Sequence, residues 1–141
     1  MNKQMFNCTC LGKDGERRQY LFSLQKSGGS TWMVCMYDTD RKIIDDGLDL
    51  KFTPFTDDAF RITDMFINNQ AYRSHGIVEA VICKVSQILA KTIVSSGKDV
   101  DKQDYRSPAS DSFWKRAKEN GWAEYIKPDD RYIWCSSSLC D

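Results

Sequence analysis

Arg73, Ser74, His75 and Gly76 stand in a row immediately ahead of the long apolar run 76–90, and His75 is the chain's single histidine. If that run is a helix, its first N–H groups lack intrahelical partners and its dipole places partial positive charge at this end. Such a terminus binds anions, diphosphates above all. Arg73 can add full charge, Ser74 and His75 can add donors, and a glycine at 76 carries no Cβ to hold a ligand off the backbone. The same residues also read as an ordinary helix start. Gly76 then serves a tight turn, Arg73 is a solvated charge and His75 caps the helix.

Other reactive groups give weaker patterns. Cys8 and Cys10 ("CTC") and Cys135 and Cys140 ("CSSSLC") could converge as four thiolates on zinc. They lack the usual C-x₂-C spacing and depend on the two ends meeting, so unpaired reduced thiols are the preferred reading and no metal is expected. Cys35 and Cys83 lie in apolar stretches and read as small hydrophobes. Asp45, Asp46 and Asp49, and the pair Asp57–Asp58, fit no EF-hand spacing and read as solvated turn residues. One histidine and no nucleophile elbow leave a Ser/His/Asp hydrolase without support. Trp32, Trp114, Trp122 and Trp134 read as core aromatics rather than an exposed aromatic site.

The elements that must position these residues follow from periodicity. Segments 17–25 and 31–38 are rich in aromatic and β-branched residues around the turn "SGGS", and 48–55 alternates Leu48, Leu50 and Phe52 on one face. Residues 39–47 read as a loop, and "TDDAF" as a short connector or one helical turn. A strand is expected at 61–67, then a loop up to His75. In 76–90, Ile77, Val81, Val85 and Ile88 lie one turn apart, with Val78, Ile82 and Leu89 widening the stripe, so length decides for a buried helix. A short strand follows at 91–96, then a polar loop. Ser107 as N-cap and Pro108 at the first position open a helix over 108–120, which Gly121 stops. Segments 122–127 and 131–135 close the chain as a hairpin, with 136–141 a loose tail.

The expected fold is α+β: a central mixed sheet made of an N-terminal antiparallel meander followed by strand, helix, strand, helix and hairpin. A strand–helix–strand of this spacing implies a parallel crossover. The length of 141 residues suits one domain. With 41% hydrophobic and 28% charged residues the chain is of globular composition, and equal counts of acids and bases argue against a broad nucleic-acid footprint. No apolar run reaches membrane-spanning length and the first residues contain no signal-like apolar core, so a soluble cytoplasmic protein is expected.

The stretch "YRSHGIVEAVI" resembles the pyrophosphate-binding signature of the GCN5-related N-acetyltransferases, in which Gln or Arg, two residues, Gly, any residue and then Gly or Ala open the central helix. Arg73, Gly76 and Ile77 match it, and "SDSFWKRAKENGWAEY" with "DRYIW" resembles the family's last helix and closing strands. The resemblance spans roughly 61–135. It implies acyl-CoA, acetyl-CoA foremost, between strands 61–67 and 91–96, with its pyrophosphate on the amides of Ser74 to Val78 and its pantetheine along Phe66 and Ile67. An amine would attack the thioester directly, and an acid would protonate the departing thiolate. Three features depart from the family. Val78 stands where Gly or Ala is usual, Ala117 occupies the place of a common tyrosine, and no helices interrupt the first strands. Tyr105, in the preceding loop, is then the candidate proton donor; Tyr125 and Cys83 are others that read equally as packing or surface. The competing expectation is a non-catalytic module of the same fold, an adaptor or inhibitor that binds a protein partner. Val78 or Trp114 would then close the cleft.

Overall fold

The structure, a computed structural model, describes residues 4–26, 28–37, 49–66, 76–99 and 104–135. Five strands come first: β1 (Phe6–Leu11), β2 (Arg17–Lys26), β3 (Trp32–Tyr37), β4 (Asp49–Thr56) and β5 (Ala59–Phe66). Helix α1 (Ile77–Leu89) leads to β6 (Thr92–Val94), and the short pair β7 (Lys98–Asp99) and β8 (Asp104–Tyr105) precedes α2 (Pro108–Glu119). The chain closes through β9 (Ala123–Ile126), a 3₁₀ turn at Lys127–Asp129 and β10 (Arg131–Trp134). One sheet of eight strands runs β1-β2-β3-β4-β5-β6-β10-β9, and β7-β8 pair separately. Every neighbouring pair is antiparallel except β5 and β6, the parallel pair that α1 crosses between.

The mixed sheet and both helices agree with the sequence pattern, and three elements differ from it. Strand β1 was not expected, because Asn7 and Thr9 dilute its apolar signal. Its inward positions are the small residues Cys8 and Cys10, exposed only 3% and 0%. "TDDAF" holds the short connector, Asp57 and Asp58 forming the tight turn between β4 and β5, but it contains no helical turn and β5 already starts at Ala59. The polar loop after β6 folds back as β7-β8. Between β1 and β2 the chain simply turns, with Gly12 N–H donating to Glu16 O at 2.9 Å, and among the described residues no helix precedes α1. The loop 39–47 with Asp45 and Asp46, the loop ending at His75, and the tail with Cys140 lie outside the described residues.

Both helices cover one face of the sheet. Phe22, Leu50, Phe52, Ile62, Ile93, Tyr132 and Trp134 project from it into one cluster with Ile77, Val81, Ile82 and Val85 of α1 and Phe113, Trp114 and Ala117 of α2. In β1 and between Leu50 and Phe52 of β4 the inward residues come at every second position. Burying a large apolar side chain contributes about 1.5–3 kcal/mol relative to leaving it in water, so this cluster holds the helices down. Helix α2 is bounded as its sequence demands: the Ser107 hydroxyl accepts from the Ser110 amide at 3.1 Å, Pro108 is the first residue, and Gly121 beyond the end has φ +78°. Trp114 is fully buried, its ring 5.9 Å from Tyr132 and 6.3 Å from Trp134, so Trp114 and Trp134 are core aromatics as the spacing suggested.

Candidate functional site: a cleft where two parallel strands part

Strands β5 and β6 stay paired for three residues only, Ala59–Thr92, Phe60–Ile93 and Arg61–Val94. Beyond Val94 the chain follows β10 instead. Ser95 N–H donates to Tyr132 O at 2.9 Å, and the Ser95 hydroxyl accepts from Tyr132 N–H at 2.8 Å. At the same level Phe52 pairs Ile62 while Lys51 pairs Asp64, so Thr63 is an extra residue in β5. A bulge of this kind bends its strand and resets which residues face inward. Here it carries β5 away from β6 and turns Met65 into the core beside Leu50. One side-chain bond still spans the gap: the Ser96 hydroxyl donates to Ile62 O at 2.7 Å.

The parting strands leave a cavity of about 250 Å³. Hydroxyl residues dominate it, with Thr63 from β5, Ser96 from beyond β6, Tyr105 from β8, and Ser107 and Ser110 from the start of α2; Ile62 and Met65 are its apolar wall. Most of these hydroxyls have partners, Thr63 with Thr53 at 3.4 Å and Ser110 with the Met65 sulfur at 3.9 Å. Tyr105 is 47% exposed at the mouth. Arg106 locks the far wall. Its guanidinium, buried in the fold, donates to Ser96 O at 2.7 Å, Asp130 O at 2.8 Å and Asp111 Oδ1 at 2.8 Å.

Met65 also lines a second, larger cavity of about 540 Å³ between the two helices, within the size range of small-molecule sites. Gly76, Ile77, Val78 and Glu79 of the α1 N-terminus form one wall, Ala109, Phe113 and Arg116 of α2 another, and Leu11, Gly12 and Lys13 of the β1–β2 hairpin a third. The first N–H to bond inside α1 is that of Ala80, to Gly76 O at 3.2 Å; among the described residues the amides of Ile77 and Val78 have no acceptor. Lys13 and Arg116 supply positive charge here. Glu79 supplies the opposite: burial holds its carboxyl above the ordinary range, with Arg116 and Lys13 only partly offsetting that.

The sequence-derived residues divide accordingly. Gly76, Ile77 and Val78 line the larger cavity, although Ile77 and Val78 put most of their side chains into the core, at 2% and 7% exposure. Gly76 has a different reason for being glycine than ligand access: its φ is +79°, and a Cβ would lie 2.3 Å from Leu11 O. Strand β1 sits against it. Phe66 ends β5, while Ile67, Arg73, Ser74 and His75 lie outside the described residues. Tyr105 comes to the cleft, whereas Tyr125 does not; its hydroxyl donates to Asp130 at 2.7 Å, which raises its pKa and keeps the phenol protonated. Cys83 is corrected outright. It is fully buried and disulfide-bonded, with a partner outside the described residues, so it is neither a free thiol nor a nucleophile. Ala117 is buried in the core, and Trp114 closes neither cavity.

The zinc set is not assembled among the described residues. Cys8 and Cys10 sit 3.4 Å apart, buried, and the contact with Cys8 together with burial pushes the Cys10 thiol far up, away from the thiolate a metal needs; Cys135 is exposed elsewhere. No helix among the described residues is long and apolar enough to cross a membrane. Sequence reasoning missed Thr63, Ser96, Lys13, Glu79 and Arg116 as lining residues. Of the cleft's serines only Ser107 carried a signal, as a helix cap. No family model, no curated protein and no solved structure matches the chain.

Proposed function

We propose that the chain binds an acyl-CoA, acetyl-CoA foremost, and transfers the acyl group to an amine, in the manner of the GCN5-related N-acetyltransferases. One observation carries the reading: β5 and β6 part at the Thr63 bulge, and the hydroxyl-lined cleft between them adjoins, through Met65, the cavity at the α1 N-terminus. An extended thioester with a diphosphate at its far end suits that pair of spaces. The diphosphate meets the amides at the head of α1 with Lys13 and Arg116, and the pantetheine runs past Met65 along the side of β5 turned away from β4, where β6 no longer pairs beyond Arg61. The thioester then reaches the cleft beside Tyr105.

In the reaction, the amine nitrogen forms a bond to the thioester carbon as the C–S bond breaks. The Tyr105 hydroxyl protonates the departing thiolate, and the new amide sheds its extra proton to water. The approach of the two reactants, held in line, supplies most of the acceleration.

The test compares wild type with Ala109→Trp, which plugs the larger cavity from an exposed position, and with Tyr105→Phe. Acetyl-CoA at about 100 times its Kd adds roughly 2.7 kcal/mol to wild type, a melting shift of several degrees. Ala109→Trp loses the shift. Tyr105→Phe keeps it and loses roughly a hundredfold or more in turnover with a panel of amines. A wild type that melts at one temperature with and without millimolar acetyl-CoA sinks the proposal. The non-catalytic module remains if no shift occurs, and also if the shift occurs and no amine is acylated.

A further inference from the structure

Glu79 is out of place in a cavity that welcomes an anion. It is the third residue of α1, next to the unbonded amides of Ile77 and Val78, half-buried in the cavity wall with no ion pair within 4 Å among the described residues. The charged and titratable groups that face it come from each element around it. Lys13 faces it from the β1–β2 hairpin, Arg116 from α2, and the protonated Cys10 thiol from β1. None of these neutralises it at contact distance. Its own backbone N–H is the one group that bonds it among the described residues, and a half-buried carboxylate so thinly held is costly, a cost that falls when a proton is added.

We infer that Glu79 sets the pH range over which the cavity between α1 and α2 takes up a diphosphate, opposing the ligand when ionised and admitting it when protonated. The inference rests on the proposed acyl-CoA site and names a regulation of it. The ionised carboxylate cancels one of the two cations and repels the phosphate oxygens. The neutral acid leaves Lys13 and Arg116 uncompensated and offers an O–H donor to the same oxygens. Because burial raises the carboxyl's pKa, the switch lies above the usual glutamate range, so affinity falls as pH rises from mildly acidic toward neutral and beyond.

The experiment titrates acetyl-CoA and, separately, inorganic pyrophosphate into wild type and Glu79→Gln by calorimetry between pH 5 and 8. Glutamine keeps the shape and removes the charge, and the difference between the two proteins cancels the ligands' own titration. A unit charge at this range is worth roughly tenfold in affinity, so Glu79→Gln binds both ligands about tenfold tighter at pH 8, and the gap narrows as pH falls toward 5. Equal affinities across the whole range overturn the inference and leave the acyl-CoA reading standing. Tighter pyrophosphate binding by the variant, with acetyl-CoA bound by neither protein, does the reverse. Weaker binding by Glu79→Gln would make the carboxylate an acceptor for a ligand N–H group and would also overturn it, as would a failure of both proteins to bind either ligand.

Discussion

Gly76 shows how one residue can satisfy two demands at once. Its φ of +79° lies where only glycine is at ease, and the space a Cβ would fill is taken by the backbone of Leu11. The glycine therefore joins β1 to the head of α1 and shapes the cavity there indirectly. Gly76→Ala should lose about 3 kcal/mol in urea unfolding, from the strained backbone and the contact with Leu11 together. A loss under about 1 kcal/mol would mean that β1 yields easily and the close approach is not a constraint. A glycine ahead of a helix was legible in the sequence. Its partner sixty-odd residues earlier was not, because "FNCTCL" carries too few large apolar residues to declare a strand, and Cys8 and Cys10 fill their inward positions by being small.

At the scale of elements, the decisive feature is the departure of β5 from β6. Ser96 holds the two together where backbone pairing has stopped, and its carbonyl is held in turn by Arg106. Ser96→Ala leaves Ile62 O buried without that donor, so stability should fall by about 1–2 kcal/mol. Exchange of the β5 amides beyond Ile62 should quicken while those of α1 stay as slow as before. Quickening spread evenly over β5 and α1 would show that the serine stabilises the fold at large and does not pin the parting point. The strand itself was visible as "RITDMFI", but the bulge was not. One extra residue shifts the inward set from every second position to Ile62 and Met65, and an isolated alternation pattern cannot show where the neighbouring strand skips.

Across the whole molecule, ion pairs tie the last third of the chain to the sheet. Asp104 meets Arg131 at 2.6 Å and Arg61 at 3.4 Å, while Arg106 meets Asp111 at 2.8 Å and Asp130 at 3.3 Å. Burial works against ionisation of Asp104 and Asp111, yet their guanidinium partners outweigh it and lower both carboxyls; Asp130 is lowered first by the Tyr125 hydroxyl and then by Arg106. Folded-state pKa values below the unfolded ones stabilise above about pH 4 and lose that contribution as pH falls through the folded values. Urea melts at pH 7, 4 and 2.5 should therefore weaken steeply at the acid end. Arg106→Met, about 3 kcal/mol less stable at pH 7, should show a shallower acid limb. A limb as steep as wild type would place the acid sensitivity elsewhere.

By itself the amino-acid sequence determined the α+β class, the buried helix at 76–90, the capped helix from Pro108 and the closing hairpin. Each of these is written in local signals: a period of 3.6 or two, a serine before a proline, a glycine after the last turn. It also brought Tyr105 forward as a candidate and offered two readings of the head of α1, an anion site or an ordinary helix start. Only the tertiary structure decided that Thr63 and Ser96 frame a cleft, that Lys13, Glu79 and Arg116 share one cavity, that Gly76 yields to Leu11, and that Cys83 is bonded. Those facts depend on residues far apart in the chain. Which distant groups meet is settled by how the sheet twists and where its strands part, and no local pattern records that.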